Sequence, residues 1–185
     1  MTSTQNVTQI KDHETAGAKL SAQAPMTGWD PVSALNQCLA HAIELRARIK
    51  QAHWGAKGDN FYVFHKMADE FTLQLDKQAD KLSARIVAMG GAPVWTPSMI
   101  VKTSELPEYP SDIVKVSQYV EALIVSYDYT AKPLPALMAK LTKLDDYVTT
   151  GVIASFLKVL DEHKGFLAAH SGIAWLEKPK KQYAS

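Results

Sequence analysis

QAHWGAKGDNFYVFHKMADEFTLQLDKQADKLSARIVAMGGAP, residues 51–93, holds the end of one helix, a turn and the whole of a second helix. In its longer part Phe61, Phe64, Ala68, Phe71, Leu75, Ala79, Leu82, Ile86 and Met89 recur at spacings of three and four, the signature of one buried helical face. Gly90-Gly91-Ala92-Pro93 ends that helix, and Lys57-Gly-Asp-Asn60 opens it from a turn. Upstream, Leu35, Cys38, Ala42, Leu45, Ile49 and Ala52 follow the same rhythm. A first helix over about residues 31–55 is therefore expected, started by Asp30-Pro31 and stopped by Gly55 and Gly58. Two long helices joined by so few residues must lie antiparallel.

Working outward, residues 90–111 carry Pro93, Pro97, Pro107 and Pro110, so they read as a crossover, with Thr96-Pro97 opening one short helix. A third helix is expected from near Asp112, with Ile113, Val116, Val120, Leu123 and Ile124 on its seam, kinked or broken at Lys132-Pro133-Leu-Pro135. The fourth, from about Thr149, shows Ile153, Phe156, Leu160, His163, Leu167 and His170. The expected fold is all-α, a four-helix bundle over residues 29–175 with a long crossover between its second and third helices. Residues 1–28 read as a flexible polar tail and residues 176–185 as a short basic one.

Composition bounds the function. The chain has 185 residues, with 20 Lys and Arg against 19 Asp and Glu, so no whole-molecule field draws it to nucleic acid or to an anionic membrane. Apolar runs such as 122–125 are too short to cross a bilayer, and the N-terminus lacks a secretory pattern, so a cytoplasmic location is expected. Cys38 is the sole cysteine, which excludes an intrachain disulfide and a cysteine zinc cluster. The chemistry must lie in histidines and carboxylates. His53 ends the first helix and His65 begins the second, so the hairpin brings both to one end of the bundle. His65 and Asp69 share a helix face at i, i+4, either hydrogen-bonding each other or offering nitrogen and oxygen to iron or zinc. His41 reads as structural or exposed, and His13 has no evident role.

The string quoted above closely resembles the signature of the Dps family, miniferritins of the ferritin-like superfamily. The resemblance rests on Gln51-Ala-His-Trp54, the turn Lys57-Gly58-x-Asn60-Phe61, His65 twelve residues after His53, Asp69 four later, Asp80 eleven beyond, and Gly90-Gly91. It implies a ferritin-like subunit in a hollow twelve-subunit cage. It implies a ferroxidase site shared across a dimer two-fold, with His53, His65 and Asp69 from one subunit and Asp80 from its neighbour. The activity it implies is oxidation of Fe(II), preferably by hydrogen peroxide and otherwise by oxygen, with ferric mineral stored inside as protection against oxidative stress. Trp54 matches a tryptophan that the family places near its metals, and core packing is the role expected of it above any redox role. Asp145 and Asp146 resemble acidic residues that line iron-entry pores.

One departure stands out. Where the family has a bridging glutamate, four residues after its second aspartate, this chain has Ala84. If the fourth helix ends level with the first, His163 and His170, roughly 10 Å apart along the helix, approach the level of His53; either one of them replaces the missing ligand, or they bond to backbone carbonyls or line a subunit contact. The alternative is a Dps-like cage that has lost ferroxidase activity and binds zinc or DNA. DNA binding is expected to be weak or absent, because Lys178-Pro-Lys-Lys181 is the one basic run and the N-terminal tail is neutral.

Overall fold

The computed structural model describes residues 29–171. Six helices run in order: α1 (Pro31–Gly55), α2 (Phe61–Ala88), α3 (Pro97–Thr103), α4 (Val116–Ala131), α5 (Leu134–Lys143) and α6 (Tyr147–Ser171). α1 packs along α2, and α4 along α6, while α2 meets α6 and α1 meets α4, which closes a four-helix bundle. Short α3 lies on α1 as part of the crossover. Among the described residues no helix is long and apolar enough to cross a membrane. The two tails read from sequence lie outside the described residues.

The seams behave as their spacing dictates. On α1, Leu35, Cys38, Ala42, Leu45, Ile49 and Ala52 are buried; on α2 the same holds from Phe64 to Ile86 along the stripe, while Phe61 stays exposed. Val120, Leu123, Ile153, Phe156, Leu160 and Leu167 complete the core from α4 and α6. Cys38 sits inside it, and burial pushes its thiol up to about 12, so it is inert at neutral pH.

Three local devices shape the bundle, of which the first departs from the sequence expectation and the second meets it. Helix α4 begins at Val116, not near Asp112, because residues 114–116 are drawn straight beside the α1–α2 turn: the Lys57 amide donates to the Val114 carbonyl (2.9 Å) and the Val116 amide to that of Lys57 (3.2 Å). The Gln118 amide oxygen accepts from the Val114 and Lys115 amides and caps the start. The expected third helix divides into α4 and α5 at Lys132 and Pro133, as the proline demands. The third device is Arg48, buried on α1. Its guanidinium donates to Glu44, to the Ser126 hydroxyl on α4 (2.8 Å) and to the Pro107 carbonyl, and lies over the Tyr109 ring (5.2 Å). One cation thus ties α1 to α4 and to the crossover. Nearby, His41 is buried, and its Nε2 accepts from the Glu105 amide (3.3 Å), a structural role.

Gly55 ends α1 beneath Tyr119, where an added Cβ would stand 2.3 Å from the phenol oxygen and 3.1 Å from its ring carbon. Gly55→Ala is expected to destabilise the fold by about 1–3 kcal/mol through overpacking. Adding Tyr119→Phe should recover part of that loss, because the oxygen is the closer contact. Denaturant midpoints of the two single variants and the double variant measure the coupling.

Candidate metal centre

Helix α1 carries His53 near its end, α2 carries His65 and Asp69 in its first turns, and residues 56–60 set them side by side. The two imidazoles stack with centroids 3.7 Å apart at 23°. One ligand atom from each of His53, His65 and Asp69 lies within 4.8 Å of the others. His65 Nδ1 stands 3.4 Å from the His53 carbonyl oxygen. A carbonyl only accepts, so Nδ1 carries the proton and Nε2 keeps its lone pair, the arrangement found in metal-ligating histidines. His53 is buried and its Nδ1 has no hydrogen-bond partner; its Nε2 lies 3.1 Å from Asp69 Oδ1 but without hydrogen-bond alignment. Burying an imidazole that nothing satisfies is costly, and a cation on its lone pair removes that cost.

A cation of the chain's own already serves the carboxylate. Lys50 Nζ lies 3.0 Å from Asp69 Oδ1, the same oxygen that faces His53. The Lys50 ammonium holds the Asp69 carboxyl below the usual carboxylate range, and His53 adds to the pull. Asp69 is therefore a carboxylate at neutral pH. Lys50 escaped the sequence reading, although its place three residues before His53 puts it on the same helix face.

The remaining predicted residues stand apart from this cluster. Asp80 is eleven residues farther along α2, about 16 Å of rise. It is exposed in a groove with Gln74, Lys77, Gln78, Lys81 and Val159. Ala84 follows one turn later and is also exposed. His163, expected to replace the missing carboxylate, does not join the cluster of His53, His65 and Asp69. It is buried, its Nδ1 is 2.8 Å from the Tyr127 hydroxyl, its Nε2 is 3.1 Å from Gln74 Oε1, and its ring stacks on Phe71 at 3.8 Å. Both nitrogens are engaged, which satisfies the burial that the sequence reading assigned to a metal. His170 is half-buried near Phe64, beside a depression lined by Lys57, Asp59, Asn60 and Lys115, and does not join the cluster.

Trp54 is not a core residue of the subunit. It is 76% exposed, because it follows the buried Ala52 and His53 around the helix onto the outer face. Tyr62, Val63 and Leu73 are exposed as well. Asp146 caps α6: its Oδ1 accepts from the Thr149 amide (3.0 Å) and pairs with Arg85 (3.0 Å). Its carboxyl is held below the usual range by the Thr149 hydrogen bonds and Arg85, against the opposing effect of burial. Asp145, exposed, takes a left-handed conformation (φ 56°) and accepts from the Tyr147 hydroxyl at 3.0 Å.

A family model described as a ferritin-like domain matches residues 32–173. The DNA protection during starvation protein of Agrobacterium fabrum is 32% identical over 139 residues, spanning 75% of this chain and 86% of that one. Dps from Listeria monocytogenes has a similar fold, with a TM-score of 0.74 at 24% identity over 80% of this chain and 96% of its own. A C-terminal deletion mutant of Mycobacterium smegmatis Dps gives a TM-score of 0.71 at 26% identity over 75% and 96%.

Burial lowers the His163 imidazole from 6.5 to about 3. Between those values the unfolded chain takes up a proton that the folded one refuses, so this group's contribution is full above pH 6.5 and is lost as the pH falls toward 3. The slope is up to about 1.4 kcal/mol per pH unit. His163→Leu should flatten the acid limb of stability by that amount, read as the difference between the two proteins' denaturation midpoints across the range.

Proposed function

The chain belongs to the Dps family of ferritin-like miniferritins, and on that premise we propose that it oxidises Fe(II) with hydrogen peroxide or oxygen and stores the ferric product inside a twelve-subunit cage. The observation that carries this reading is the cluster of His53, His65 and Asp69, with one imidazole unsatisfied and the other held in the metal-binding tautomer. Two imidazoles and one carboxylate suit Fe(II) and leave coordination positions open for an oxidant. Fe(II) is the substrate. It would enter as a divalent cation and displace the monovalent Lys50 ammonium from Asp69. Two Fe(II) ions supply the two electrons that reduce one peroxide to water, which removes both Fenton reagents together.

Asp80 lies on the outer face of α2, away from its own subunit's cluster, as a residue that completes a neighbour's site would. The exposed apolar side chains of Trp54, Tyr62 and Leu73 on the outer faces of α1 and α2 fit burial by a second copy. DNA is not assigned as a partner; the basic run at 178–181 lies outside the described residues. Ala84 and the lysine at Asp69 favour one other reading, a cage that holds zinc on the same donors without oxidising iron.

Adding about two Fe(II) per subunit anaerobically to the metal-free protein, then peroxide or oxygen, should give ferric absorbance faster than a protein-free control. His65→Ala and Asp69→Ala should return the trace to the control. If the unaltered protein already matches the control, iron oxidation is excluded and the zinc reading takes its place. Lys50→Met should tighten binding of Co(II), used as a non-oxidising probe in calorimetric titration, because the competing ammonium is gone.

A further inference from the structure

Tyr127, His163 and Gln74 form a hydrogen-bonded line through the core from α4 across α6 to α2. Tyr127 is fully buried, and its hydroxyl is 2.8 Å from His163 Nδ1. On the other side of the ring, His163 Nε2 is 3.1 Å from Gln74 Oε1. An amide oxygen only accepts, so Nε2 carries the imidazole proton and Nδ1 turns its lone pair to the phenol. The phenol therefore donates to a neutral base. Burial keeps both groups uncharged at rest, pushing the phenol well above its ordinary value and the imidazole down. Stacking on Phe71 (3.8 Å, 6°) fixes the plane of the ring.

A phenol so placed can lose an electron and a proton together. The electron leaves, the proton crosses to Nδ1, and a neutral phenoxyl remains beside an imidazolium. Gln74 also lies on the helix that carries His65 and Asp69. Gln74 is five residues along α2 from Asp69, about 7.5 Å of rise, and it borders the groove that holds Asp80.

We propose that Tyr127 is a one-electron donor to the peroxide chemistry of the metal centre, with His163 as its proton acceptor and Gln74 as the residue that holds His163 in the accepting tautomer. The proposal rests on the iron-oxidation reading. Whenever peroxide meets a site that holds one Fe(II), a state that Ala84 in place of a carboxylate favours, that ion supplies only one of the two electrons that peroxide requires. The balance is then Fe(II) + H2O2 + TyrOH + H+ → Fe(III) + TyrO• + 2 H2O. The second electron comes from Tyr127 in place of a diffusing hydroxyl radical, and the phenolic proton, held first by His163, is conserved in the water formed. A later Fe(II) returns the phenoxyl to phenol.

The test is paramagnetic resonance of the full chain, freeze-quenched after peroxide is added to protein carrying one Fe(II) per subunit, with ferric absorbance followed in parallel. A tyrosyl radical is expected in the unaltered protein, and most of it should be lost in Tyr127→Phe. His163→Gln keeps the phenol and a polar neighbour but removes the base, so it should lose the radical too. A merely structural pair would not produce that result. Ferric iron formed with no radical, or with a radical undiminished in both variants, overturns this proposal alone. No ferric iron above the protein-free control overturns the iron reading and this proposal with it.

Discussion

The register between α1 and α2 governs everything at the candidate metal centre, and a turn of five residues sets it. Asn60 enters α2 from a left-handed conformation (φ 58°) and Gly58 takes φ 104°, a region where glycine avoids the strain of a side chain. The turn is then strapped sideways by its backbone pairing with residues 114–116 and closed from above by Tyr119 on Gly55. A one-residue slip would rotate His53 about 100° away from His65. The crossover, the start of α4 and the end of α1 thus act together to keep two imidazoles face to face.

Much of this was legible in the chain. The bounds of the first two helices, the antiparallel hairpin and the burial of Leu45, Ile49, Leu75 and Leu82 follow from spacing, because a helical period needs no knowledge of partners. The pairing of His53 with His65 and Asp69 was legible for the same reason, since it depends on one short turn. What escaped depends on side chains meeting across distant segments. His163 sits on a core stripe whether it binds metal or a tyrosine, and only the packing of α4 against α6 shows that Tyr127 and Gln74 satisfy it. Trp54 falls beside the apolar seam, and its exposure follows from a rotation of one residue around α1. Arg48 reads as an ordinary charge on a helix until Pro107, Tyr109 and Ser126 arrive to enclose it.

The buried polar groups divide by what satisfies them. Arg48 is surrounded by acceptors and a ring face, and His163 is bonded on both sides, so each has its desolvation offset within the subunit. His53 is an exception, with both ring nitrogens unserved, and among the described residues the Tyr109 hydroxyl shares that state. Such local deficits cost stability. Lys50, on Asp69 Oδ1, places a cation beside the unserved His53 ring.

Lys50, His53, His65 and Asp69 all lie within a single stretch of twenty residues, 50–69. Contacts this local close quickly, because little loop entropy must be lost before they form. The α1–α2 hairpin can therefore bring these four residues near one another early, before residues 114–116 strap the turn and fix its register. On the proposed assembly, the donors would then exist before the boundary between subunits does, a hairpin offering ligands first and a second copy enclosing them afterwards.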